Sequence, residues 1–134
     1  MDKQDLIDCF NDNLRKFVSE LSALYANDAD LNAFNKALSL AIVVDDRKPF
    51  KLYHKLANVP YGEFLLSRDD TFFASPDFEK QLLSSDSIDT LNEGSSPSVL
   101  IDKVRSMWGD MSVDNKEIVW KYFKVLTLLC RKLV

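Results

Sequence analysis

The sequence predicts an all-α chain: a compact orthogonal or bundle-like array of about five to six helices, with an irregular acidic segment between the fourth and the penultimate helix. Three observations carry this. Apolar residues recur at steps of three and four near both ends of the chain, the spacing of an amphipathic helix. Only three glycines and four prolines occur in 134 residues, fewer turn formers than a β-rich domain normally needs. The prolines and glycines also fall between periodic stretches, where they punctuate helices.

In the first segment Leu6, Ile7, Phe10, Leu14, Phe17, Val18, Leu21 and Leu24 line one face, and Asp8, Asp12, Arg15, Lys16 and Glu20 fill the other. This reads as a helix from about Lys3 to Tyr25, and part of its apolar face follows heptad spacing. Asn27, Asp28 and Asp30 break the pattern and offer caps. A second helix then turns Leu31, Phe34, Leu38, Ala41 and Ile42 inward and ends near Val44. Its last turn, Leu40 to Val44, is apolar all round and is expected to be buried. Asp45 and Asp46 form a turn, and Pro49 suits the first position of a third helix through Leu56. Asn58 to Pro60 reads as a break, with Pro60 starting a short fourth helix that carries Tyr61, Phe64, Leu65 and Leu66.

From about 68 to 98 short apolar groups alternate with Ser and Asp, which predicts irregular chain with a helical turn at Pro76 after a capping Ser75. The stretches Ser84 to Ser87 and Asn92 to Ser96 are its expected mobile points. Helical periodicity returns with Val99, Leu100, Val104, Met107 and Trp108, and Gly109 stands at a C-cap position. Ser112 or Asp114 caps a last helix whose apolar face runs through Ile118, Val119, Tyr122, Phe123, Leu126, Leu129, Cys130 and Leu133, with Trp120 beside it. Residues 1–134 are expected to form one domain, which is long enough to be stable without disulfides or a metal.

An apolar content of 46% and a charged content of 28% are ordinary for a globular protein and argue against wholesale disorder. The two cysteines lie far apart in helical stretches, so reduced thiols, the lack of a signal peptide and the lack of an apolar run of membrane-spanning length predict an intracellular protein with no membrane partner. The formal net charge of −4 disfavours a protein that binds nucleic acid through its overall charge. Basic residues do cluster: Lys116, Lys121, Lys124, Arg131 and Lys132 on the last helix, and Arg47, Lys48 and Lys51 around the third. These eight residues are the candidate partner surface. Complementarity to helix dipoles is the simpler reading of the last helix's charges.

No constellation suggests catalysis. His54 is the single histidine, flanked by Lys51 and Lys55 with no carboxylate to orient it. Structural zinc needs four Cys or His ligands, and the chain has three such residues in all. Asp28, Asp30 and Asn32 imitate the start of a calcium loop, but Ala33 stands where glycine is needed and Ser39 where glutamate is needed. They read as caps. There is no glycine-rich phosphate loop, and no cofactor is expected. Asp69 and Asp70 could serve a hydrolase, the least favoured reading, because the next residues are Phe72 and Phe73 rather than further acids.

Several stretches together resemble small helical proteins of the nucleocytoplasmic large DNA viruses of algae and protists. These are Phe10…Leu14…Phe17-Val18…Leu21 with the Asp-rich break after it, the turn Arg68-Asp69-Asp70-x-Phe72-Phe73, and Trp108 followed by Asn115-Lys116-x-Ile118-x-Trp120-x-Tyr122-x-x-x-Leu126. The resemblance implies a viral protein made in an infected cell, and it brings no catalytic residues. The expected function is non-enzymatic: protein–protein interaction or a structural role in the infected cell or virion, by binding a partner or another copy. The alternative is a nucleic-acid- or chromatin-associated module using the basic last helix.

Overall fold

The computed structural model describes residues 2–68 and 97–134, and every element among them is helical. The elements are α1 (Lys3–Leu24), α2 (Ala29–Val44), α3 (Lys48–Tyr53), a π-helical turn (His54–Asn58), α4 (Val59–Ser67), α5 (Pro97–Met107), a 3₁₀ turn (Trp108–Asp110) and α6 (Val113–Leu133). The expected irregular acidic segment, its Ser75–Pro76 turn, its mobile points, the Asp69–Asp70 pair and the Phe72–Phe73 pair lie outside the described residues.

The helix starts follow side-chain chemistry. Asp2 caps α1 by accepting from the Asp5 amide at 2.8 Å, Asp28 caps α2 through the amides of Asp30 and Leu31, and the Ser112 hydroxyl accepts from Asn115 at 3.1 Å to cap α6. Each cap satisfies backbone donors that have no partner within the helix.

The expected break at Asn58 to Pro60 is absent. Lys48 to Ser67 is continuously helical, and a π turn takes the place of a gap. The cause is Pro60, which has no amide to give the carbonyl four residues back and whose ring crowds that carbonyl. Widening the helix by one residue accommodates it: the Val59 amide bonds to the His54 carbonyl, five residues away. The C-cap expected at Gly109 is also absent, since Gly109 has no positive φ and sits inside the 3₁₀ turn. Among the described residues the one in the left-handed region is Arg68 (φ 57°, ψ 48°), which ends α4.

All six helices and the π turn bury residues in one hydrophobic cluster. Phe17 of α1 stacks on Tyr122 and meets Phe123 edge-on, with ring centroids 5.0 and 5.1 Å away. Phe10 packs edge-on against Tyr53 at 5.5 Å, and Trp108 against Trp120 at 5.5 Å. These aromatic pairs tie α1 and the 3₁₀ turn to α6, and α3 to α1. Trp120 belongs to that core rather than lying beside it.

One expectation about α2 fails. Leu31, Phe34 and Leu38 are buried, but Leu40 is 69% exposed and Val43 and Val44 are each 85% exposed. Ile42 still packs against the core, and Leu40, Val43 and Val44 lie on the side of the turn that faces away from it.

Candidate functional site: surfaces for a partner

The basic residues do not act as a set. Arg131 turns back across α4: its Nε donates to Asn58 Oδ1 at 3.0 Å and its Nη2 to Glu63 Oε1 at 2.9 Å. Asn58, in the π turn, is itself buried and faces His54 Nδ1 at 3.0 Å. Gly62 makes this approach possible, because a Cβ there would stand 2.7 Å from both Arg131 Nη2 and Asn58 Oδ1. Lys116 holds its ammonium 5.0 Å from the centre of the Trp108 ring, a cation–π contact. Lys121, Lys124 and Lys132 are exposed on α6, Arg47 and Lys51 are exposed at α3, and Lys48 is half-buried. Arg131 and Lys116 are therefore committed to the fold, a fact hidden from the sequence because their partners lie far away along the chain.

Asp28 and Asp30 receive the ammonium of Lys103 from α5, at 2.8 and 3.1 Å. Burial works to raise the Asp28 carboxyl, but the Lys103 ammonium and the helix amides outweigh it and hold the group below its ordinary value. The same pairing raises Lys103. The place a cation would take beside these acids is filled by the protein's own lysine, and Asp28 serves as the cap the sequence suggested. Among the described residues no three His, Cys, Asp or Glu side chains converge as metal ligands.

Under α3 lies a buried polar contact. The Tyr53 hydroxyl sits 2.9 Å from Thr127 Oγ1 and 3.5 Å from the Phe123 carbonyl, and Cys130 Sγ points at the Phe50 carbonyl at 3.6 Å. Burial raises the Tyr53 phenol above its ordinary value and pushes the Cys130 thiol up to about 11. A thiol held protonated at neutral pH is a poor nucleophile.

The surface that sequence reasoning missed is the outer side of α2. Ala29, Ala33, Lys36, Leu40 and Val43 are all exposed and follow heptad spacing, with Val44 beside them. The opposite face carries Leu31, Phe34 and Leu38 into the core. The helix is thus apolar on two sides. Next to its N-terminal half is a groove of about 580 Å³ between α2 and α5, with Ala33, Ala37 and Phe34 on the α2 wall and Leu100, Asp102 and Ser106 on the α5 wall. Periodicity could have flagged this: Ala33, Leu40 and Val43 fit a second seam that the inward face does not need.

Among the described residues, no helix is long and apolar enough to cross a membrane. Comparison with protein-family models, curated proteins and solved structures finds no match.

Proposed function

We propose that this chain is a non-enzymatic protein-binding module that engages its partner through the outer face of α2. The observation that carries this reading is the exposure of Leu40, Val43 and Val44 in one helical turn beside an open groove. Scattered apolar side chains at a surface are ordinary, but contiguous ones beside a concave feature mark docking sites. An apolar helix face with i, i+3, i+4 spacing is the form used in helix-in-groove recognition.

The nucleic-acid reading has less support, because Arg131 and Lys116 are engaged within the fold and the chain is acidic overall. On the resemblance to proteins of large DNA viruses, the partner belongs to the infected cell or the virion, and the protein works inside the cell.

Affinity purification of the tagged chain from producing cells tests the reading. The wild type and a Lys121→Glu/Lys124→Glu variant should retain the same co-purifying proteins, and a Leu40→Asp/Val44→Asp variant of unchanged circular dichroism should lose them. Retention by the α2 variant with loss by the lysine variant would overturn the proposal in favour of a site on the basic helix.

A further inference from the structure

The outer face of α2 has a large half and a small half, and the two fit each other. Toward the C-terminus it projects Leu40, Val43 and Val44; toward the N-terminus it presents Ala33 and Ala37 beside the α2–α5 groove. The charges divide the same way. Lys36 lies exposed nearer the first turns, and Asp45 lies exposed at the C-terminal end. Extending the protein-binding reading above, we infer that the occupant of this face is a second copy of the chain, joined by an antiparallel α2–α2 pairing about a two-fold axis.

One register satisfies every pair at once. With Leu40 of one copy over Ala37 of the other, Val44 falls over Ala33. Large side chains then meet small ones. Helical side chains lean toward their own N-terminus, so in an antiparallel pair Lys36 leans toward the C-terminal end of its partner's α2. There it finds Asp45, which is exposed, and the negative end of the helix dipole. A two-fold axis repeats each contact, which makes the interface isologous and closed, and the pairing stops at a dimer. The apolar centre is small beside the roughly 800 Å² per partner of a standard interface, so the dimer is a weak one that forms with rising concentration.

Sedimentation or light scattering of the purified full chain, followed from about 10 µM to 1 mM, the range suited to an interface of this strength, reads the equilibrium. The mass of 15.4 kDa should rise toward twice that value for the wild type and stay constant for Leu40→Asp/Val44→Asp. The register is read separately in a Cys9→Ser background. Chains carrying Ala33→Cys mixed with chains carrying Val44→Cys should form a disulfide-linked pair under mild oxidation. Each variant alone should not, because its two thiols would be offset by about 16 Å along the axis. A wild type that stays monomeric throughout overturns self-pairing and leaves the partner reading to its own cellular test. A dimer that survives Leu40→Asp/Val44→Asp overturns the assignment to α2. Cross-linking of either cysteine variant with itself overturns the register.

Discussion

Arg131 lies so close over Gly62 that a methyl group added to the glycine would stand 2.7 Å from the guanidinium and 2.7 Å from Asn58 Oδ1. The arginine thereby joins the end of α6 to the π turn and to Glu63. Gly62→Ala gains about 0.5–1 kcal/mol of helix propensity but pushes Arg131 off Asn58, a hydrogen bond to a charged group worth about 1.5–3 kcal/mol. Because the arginine side chain is partly exposed, the lower figure applies. The expected net effect is a destabilisation of about 1 kcal/mol. With Arg131→Ala already present, denaturant unfolding should show the alanine costing at least about 1 kcal/mol less, since neighbouring substitutions couple. Additive costs would mean that the two residues do not act together.

The contact between Tyr53 and Thr127 supports a second cycle. Both residues are 0% exposed. Thr127→Val leaves the phenol with only its 3.5 Å contact to the Phe123 carbonyl, and the expected cost is about 1–3 kcal/mol. Tyr53→Phe should cost less, about 1 kcal/mol, because the freed threonine hydroxyl can bond the carbonyl four residues back in its own helix. The double variant should recover part of the summed loss, measured as urea midpoints.

Alkali should destabilise the fold in a defined window. Cys130 has an ordinary value of 9.0 and is pushed up to about 11 by burial, and Tyr53 is raised from 10.0 by the same cause. A raised value means that the native state holds the proton more tightly than the unfolded chain. The resulting stability is complete below pH 9 and is lost as pH rises through about 11 for the thiol. Tyr53 extends the loss above pH 10. Unfolding free energy should thus fall between pH 9 and 11, by up to about 2 kcal/mol from Cys130. Cys130→Ala should flatten this part of the profile. An unchanged slope in that variant would remove the thiol from the account.

Phe123 is fully buried, with a ring contact to Phe17, and Trp120 is 2% exposed. Replacing either by Ala should cost about 3–5 kcal/mol, severe against the about 5–15 kcal/mol of an ordinary domain. Denaturant unfolding checks this, and a small loss would place the side chain outside the core.

Val43 gives the opposite expectation. At 85% exposed it should accept Val43→Lys with a change within about 0.5 kcal/mol. A loss of several times that in a thermal melt at low protein concentration would show the side chain to be buried in the monomer.

Much of the fold was legible in the sequence. The expected first helix, Lys3 to Tyr25, differs from α1 by one residue at its end, and the second ends at Val44 as expected. Asp28 and Ser112 cap as their residue types predict. The candidate surface was less legible. Arg131 looked like one more exposed base because a sequence shows its charge and not the glycine and asparagine it reaches. Pro60 looked like a helix start because proline is common there, and nothing local shows that the chain would widen into a π turn instead of breaking.

The sequence by itself determined that this chain is helical, where α1, α2 and α6 run, and that α6 turns Val119, Phe123, Leu126, Cys130 and Leu133 to the core, because capping and periodicity act within a few neighbouring residues. Only the tertiary structure decided how much apolar surface the core could cover. Leu40, Val43 and Val44 were apolar enough to be buried, yet burial needs an element opposite them, and among the described residues that side of α2 is left uncovered. Periodicity identifies a face; the arrangement of the other helices decides whether that face becomes core or surface.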